Sequence, residues 1–204
     1  MELMPDTYTS LNTTYEVLHS IGRLAFPIFC FFIVEGFFRT KNVYKYALRL
    51  FLFAIASEIP FDLGLYGVPF YWKHQNIILT FFLALLMLIT LRFLEGNILG
   101  LSKGVVYLTY ICAVIAFADV AYLMNADYSW KCMLLISVLY FTRKSKEFSL
   151  IAGAAACAWE KYAAISFVLL YFYDPEKRPR FKYAFYIFYP LHLLIIYGIA
   201  KLII

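Results

Sequence analysis

The sequence predicts an all-α fold, a polytopic integral membrane bundle of about eight helices, and three observations lead there. Hydrophobic residues make up 64% of the chain and charged residues only 15%, whereas a soluble domain is nearer half apolar and a quarter charged. Apolar runs recur from residue 18 to the end, and runs of about 20 such residues are what a hydrocarbon core about 30 Å thick requires. Stretches such as Phe26–Val34 and Ile77–Thr90 are continuously apolar. A closed barrel would instead show strict alternation over about ten residues, and no other backbone satisfies its own hydrogen bonds in lipid.

Taken in order, the segments are Leu18–Phe38, Val43–Ile59, Asn76–Leu94, Gly104–Leu123, Trp130–Phe141, Phe148–Trp159, Tyr162–Tyr173 and Tyr183–Ile204. The fifth, sixth and seventh are short for a full crossing, so they are expected to be tilted, extended by their flanks or re-entrant. Residues 1–17 form a polar tail without the basic start and apolar centre of a secretory signal, and 18–204 form one transmembrane domain. Gly96, Gly100 and Gly104 follow a GxxxGxxxG spacing, but Glu95, Asn97, Ser102 and Lys103 make it a polar turn and not a helix-pairing motif.

Lysine and arginine set the orientation. Arg39, Lys41, Lys45 and Arg49, then Arg92 and Lys103, then Arg143, Lys144 and Lys146, then Lys177, Arg178, Arg180 and Lys182 fall on one set of alternate loops. By the positive-inside rule that side is cytoplasmic, which places the tail and the loop 60–75 outside. The expected location is a membrane, crossed several times, with the lipid bilayer as first partner. Basic loops this short are explained by topology, so nucleic acid is not expected. The four cysteines sit singly in apolar stretches, with no zinc spacing, and no metal is expected. Walker, GxGxxG, HExxH and GxSxG motifs are absent.

Ionisable groups at membrane depth are costly, by roughly 2.5–3.5 kcal/mol each on insertion scales, and so mark function. Arg23 lies one turn before Pro27, which withholds an amide from the Arg23 carbonyl and kinks the helix. A cation at such a break can take a phosphate or carboxylate; the plainer alternative is snorkelling to headgroups, with Glu35 pairing to Arg39. Glu58 and Asp62, four apart in Ser57-Glu-Ile-Pro-Phe-Asp62, can face one another and divide acid and base roles; the alternative is a solvated helix end halted at Pro60. Asn76, with Thr80 a turn below and His74 before it, either lines a polar mouth beside those carboxylates or simply caps the third helix. His192, three residues after Tyr189 in an apolar final span, suits a base, a proton relay or an interhelical hydrogen bond. Asp119 is a further possible partner. On these residues alone, a small transporter using Glu35, Glu58, Asp62, Asp119 and His192 competes with an enzyme.

The run Gly22-Arg-Leu-Ala-Phe-Pro-Ile-Phe29, Val34-Glu-Gly-Phe37, Lys45-Tyr46, Arg49-Leu50, Ser57–Asp62, Asn76, Thr80, Ala126-Asp-Tyr-Ser129 and Phe185–Leu193 resembles the TraX family along nearly the whole chain. That family is named for a conjugal-transfer member linked to N-terminal acetylation of pilin. The resemblance implies a helical membrane fold related to membrane acyltransferases, a multi-pass place in a bacterial inner (cytoplasmic, plasma) membrane, and acetyl transfer from acetyl-CoA to a pilin N-terminus or another envelope acceptor. His192 would be the base, with Glu58 and Asp62 as further catalytic candidates. Arg23, Glu35, Asn76 and Tyr189 would bind substrate or cofactor. Members usually begin with a further apolar helix carrying an Asp-His pair, and Glu2–Asp6 resembles the exit from it. A chain without that helix is expected to lack a histidine it supplies, which makes a non-catalytic membrane assembly factor the alternative.

Overall fold

The computed structural model describes residues 5–98, 100–160, 162–174 and 184–203. Lys161, Lys177, Arg178, Arg180 and Lys182, and the first residues of the tail, lie outside them. The described residues form eight helices: α1 (Pro5–Arg39), α2 (Val43–Tyr66), α3 (Ile77–Asn97), α4 (Lys103–Leu123), α5 (Ser129–Thr142), α6 (Lys146–Ala156), α7 (Ile165–Tyr171) and α8 (Ala184–Ile203). No strand occurs among them; one isolated bridge joins Gln75 to Ala126.

Helices α3 and α5 form the centre, because Leu85, Met87, Leu88, Leu91, Met133, Leu135, Ile136 and Leu139 are all shut away from the surface. α1 lies across both, α2 flanks α3, α4 covers α3 and α5, and α6 and α7 close the far side against α5 and α1. α8 packs along α2, where Gly64 lets it approach: a Cβ there would sit 3.3 Å from the Leu193 carbonyl oxygen. α3 and α4 are long and apolar enough to cross a membrane. α4 buries only Ala121 and turns Tyr107, Leu108, Ile111 and Ile115 outward.

Two boundaries differ most from those read in the sequence. α2 continues past Pro60 to Tyr66; the proline removes one backbone donor, and burial of Phe61 and Asp62 against the bundle holds the last turns in place. The helix ends instead at Gly67, whose φ of 70° supplies the left-handed cap. α1 begins at Pro5, inside the polar segment. The short sixth and seventh segments are short helices of 11 and 7 residues, about 16 and 10 Å long at 1.5 Å per residue. They form a hairpin whose tip, described at 157–160 and 162–164, turns through Glu160 N–H to Cys157 O and Ala163 N–H to Glu160 O.

That hairpin depends on Gly153. A Cβ at this position would lie 2.4 Å from Cε1 of buried Phe167 and 3.0 Å from Leu139. Gly153→Ala is expected to destabilise by about 1–3 kcal/mol through overpacking, read as a lower melting temperature in detergent, and Phe167→Leu in the same chain is expected to recover most of the loss.

Candidate functional site

One end of the bundle gathers most of the buried polar chemistry. Asn76 is fully buried. Its Oδ1 accepts from the Ile78 and Leu79 amides (2.9 and 3.2 Å), starting α3, while its Nδ2 donates to the Ala54 carbonyl (2.8 Å) and to Glu58 Oε2. One side chain thus caps α3 and holds Glu58. Asp62, only 1% exposed, accepts from the Tyr71 amide at 2.7 Å through Oδ2, so it is not a solvated helix end. Tyr189 of α8 reaches the Ile77 backbone and lies in the field of Asp127 and Glu58. Among the described residues, Ser57 Oγ, Glu58 Oε1 and Asp62 Oδ1 are buried without a hydrogen-bond partner. Each carboxylate therefore has one oxygen held and one uncommitted, an arrangement that favours a donor-rich ligand.

The loop after α2 is pinned onto the segment before α5. Gln75 donates to the Asn125 carbonyl at 3.0 Å and accepts from the Asp127 amide at 3.2 Å. Thr80 Oγ1 donates to the Asp127 carbonyl at 2.7 Å. Three non-glycine residues here have positive φ: Asn125 (53°), Tyr128 (56°) and Ser129 (24°). Such conformations cost about 1–3 kcal/mol each and persist where surrounding contacts over-determine them. His74 lies across the two segments, with Nδ1 2.6 Å from the Tyr66 hydroxyl and Nε2 3.6 Å from Asp127 Oδ1. Burial raises the Asp127 pKa, opposed by His74 and by the Tyr128 amide. Burial and then the Asp127 charge push the Tyr128 phenol up to about 12, and its ring stacks on Phe26 at 3.9 Å.

Arg23 stands beside this cluster and pairs with Glu160 at the α6–α7 tip. It does meet a carboxylate, and the carboxylate belongs to the chain itself. Ser166 Oγ donates to the Leu24 carbonyl at 2.9 Å, fixing the same tip one residue beyond the carbonyl that Pro27 leaves free. His192 sits on α8, its ring stacked on Phe188 at 5.1 Å and edge-on to Tyr189 at 5.6 Å, with Nδ1–H donated to the Phe188 carbonyl at 2.9 Å. Among the described residues no hydrogen bond joins His192 to Arg23, Glu58 or Asp62. Asp119 is exposed on α4.

Glu35 lies at the opposite end. It accepts from Arg39 Nε at 2.9 Å and Arg143 Nε at 3.1 Å. Arg143 lies over Phe38 at 4.1 Å and Arg92 over Phe37 at 3.9 Å, so two guanidiniums, from α3 and from the end of α5, share one aromatic floor, and Glu35 ties Arg39 of α1 to Arg143. No group of three or more His, Cys, Asp and Glu among the described residues is placed to hold a metal ion.

The geometry thus unites Glu58, Asp62, Asn76 and Tyr189, holds Arg23 beside them on Glu160, and leaves Glu35 at the arginine end. Reading the sequence did not single out Asp127 or Glu160 as site residues. The signal for Asp127 was its Ala-Asp-Tyr-Ser context; Glu160 carries no local signal.

Fold and site define a class: an all-α bundle with a largely apolar exterior and a polar, carboxylate-rich cluster at one end. The profile of the TraX protein family matches residues 6–200, and the chain belongs to that family. It is 26% identical over 209 residues, covering 89% of this chain and 82% of the relative, to the "Probable fimbrial assembly protein FimC, serogroup H1" of Dichelobacter nodosus. No solved structure matches it.

Two stability predictions follow from the site. Asn76→Ala removes a cap and strands the groups it satisfied, at an expected cost of about 3 kcal/mol in unfolding free energy. Asp127 has a raised pKa in the folded state, so its carboxyl does not penalise the fold at low pH, where it is protonated in both states, and penalises it as pH rises through the raised value. Asp127→Asn is therefore expected to raise the melting temperature over the parent near about pH 8 and to change it little near about pH 4.

Proposed function

We propose that this chain is a multi-pass protein of the bacterial cytoplasmic membrane that acts in pilin or fimbrial assembly as an acetyltransferase. It would pass acetyl from acetyl-CoA to a pilin N-terminus or another envelope acceptor. Family membership and the fimbrial-assembly name of the Dichelobacter relative support the assembly role. The apolar faces of α3 and α4 and the one-sided basic loops support the membrane reading. The observation that carries the enzymatic reading is the cluster of uncommitted acceptor oxygens on Glu58 and Asp62. Carboxylates accept only, and an ammonium offers three donors and no acceptor, so an amine is the complementary ligand. The phosphates of acetyl-CoA would be met at the other end by Arg39, Arg92 and Arg143, because guanidiniums bind phosphate bidentately. Glu35 would act there by holding two of those arginines in place.

Purified protein in proteoliposomes is expected to transfer labelled acetyl from acetyl-CoA to a synthetic peptide with a pilin N-terminus. Glu58→Gln is expected to lower kcat/KM by roughly 10- to 100-fold, the scale of losing a charge-assisted bond to the acceptor. Folded protein that moves no label to any of a panel of amine and hydroxyl acceptors would sink the reading. A non-catalytic assembly factor is the second reading, favoured by the commitment of Arg23 to Glu160 and of His192 to the Phe188 carbonyl. Co-purification with pilin without turnover would distinguish it.

A further inference from the structure

We propose that His74, oriented by Asp127, is the base that takes the acceptor's proton in the acetyl transfer inferred above. The inference rests on that reading and goes beyond it by moving the base from the final helix to the α2–α3 loop. An ionised carboxylate only accepts, so Asp127 facing Nε2 at 3.6 Å assigns the ring proton to Nε2. The lone pair then lies on Nδ1, which already receives the Tyr66 hydroxyl proton at 2.6 Å. A basic nitrogen aimed at an O–H and backed by a carboxylate is the arrangement that activates a nucleophile. The Asp127 separation is an ion-pair distance, and catalytic hydrogen bonds tighten once substrate is bound.

The imidazole is placed from every side. Phe61 meets it edge-on at 5.4 Å, and Tyr66 stacks on Tyr71 at 4.0 Å. The Tyr71 amide is tied to Asp62, and Gln75 is bridged to the Asp127 segment. It is also reachable, with about a third of its side chain exposed. His192 also lies among rings, but its Nδ1–H meets a backbone carbonyl, and among the described residues no carboxylate pairs with it.

In the reaction the acceptor's N–H or O–H replaces the Tyr66 phenol on Nδ1. Its proton moves to Nδ1 as its lone pair forms the new bond to the acetyl carbonyl carbon. The tetrahedral intermediate then collapses, the C–S bond breaks, and the proton on Nδ1 passes to the sulfur. Acetyl-CoA and acceptor become acetylated acceptor and CoA thiol, with no change of oxidation state. His74 is the catalytic residue and Asp127 a positioning residue.

Two measurements test this. In the proteoliposome assay, His74→Gln is expected to lose roughly 100-fold or more in kcat, and Asp127→Asn roughly tenfold or more, with Asp127→Glu recovering part of it. A loss under tenfold in His74→Gln, or a larger loss in His192→Gln, overturns the assignment. Independently of turnover, protein carrying ¹⁵N-histidine in micelles has three histidines to resolve, and the signal absent from His74→Gln is His74. The expected tautomer is Nε2–H in the parent and a mixture in Asp127→Asn, with the other two signals unmoved. An unchanged tautomer in Asp127→Asn overturns the dyad. An inactive parent whose tautomer responds overturns acetyl transfer and leaves the dyad demonstrated.

Discussion

The side chain of Asn76 is the point on which the arrangement turns. A neutral amide buried among apolar helices must find partners for its hydrogen-bonding groups or pay roughly 1–3 kcal/mol for each one left over. Here the oxygen opens α3 and the nitrogen binds α2. The register between these two helices, and with it the height at which Glu58 meets the end of α3, follows from one residue. Glu58 is drawn to the amide by one oxygen only, which leaves the other pointing into the bundle. A purely apolar contact between α2 and α3 would tolerate sliding; this one does not.

From that junction the two ends acquire different chemistry. Asn76 and Arg92 are sixteen residues apart on α3, about 24 Å at 1.5 Å per residue, close to the thickness of a hydrocarbon core. At one end carboxylates sit with unclaimed oxygens. At the other, Arg92 and Arg143 lie over Phe37 and Phe38, and Glu35 joins Arg143 to Arg39. An acyl donor carrying phosphates suits the second end and an amine acceptor suits the first. Under the acetyl transfer proposed above, the thioester of the donor would have to span that distance to reach His74.

Much of this was legible in the sequence, because apolar run length is read directly and cannot be disguised. The ends of α3 and α4 fall within three residues of where composition changes, whereas α2 overran Pro60 because tertiary burial of Phe61 and Asp62 outweighed a local breaker. The Glu58–Asp62 pair and Asn76 were legible through spacing of three or four and helix capping. The bonds Asp62 to Tyr71, His74 to Asp127 and Arg23 to Glu160 were not, since each joins segments whose relation is set by packing. Polarity made His192 conspicuous in its apolar span, but conspicuousness does not supply a partner, and the structure gives it a backbone carbonyl.

The strained turn before α5 shows why the site is built from two loops. Asn125, Tyr128 and Ser129 all hold positive φ without being glycine, so a free segment would relax within a few kcal/mol of thermal cost. Gln75 clamps it by two backbone bonds, Thr80 by a third, and Phe26 by stacking on Tyr128. Those clamps aim the Asp127 carboxylate at His74 while burying it, which is unfavourable for the carboxylate itself. A chain selected for stability alone would place a neutral side chain there. Strain and a partly buried carboxylate held together by contacts from α1, α3 and the preceding loop support the dyad proposed above.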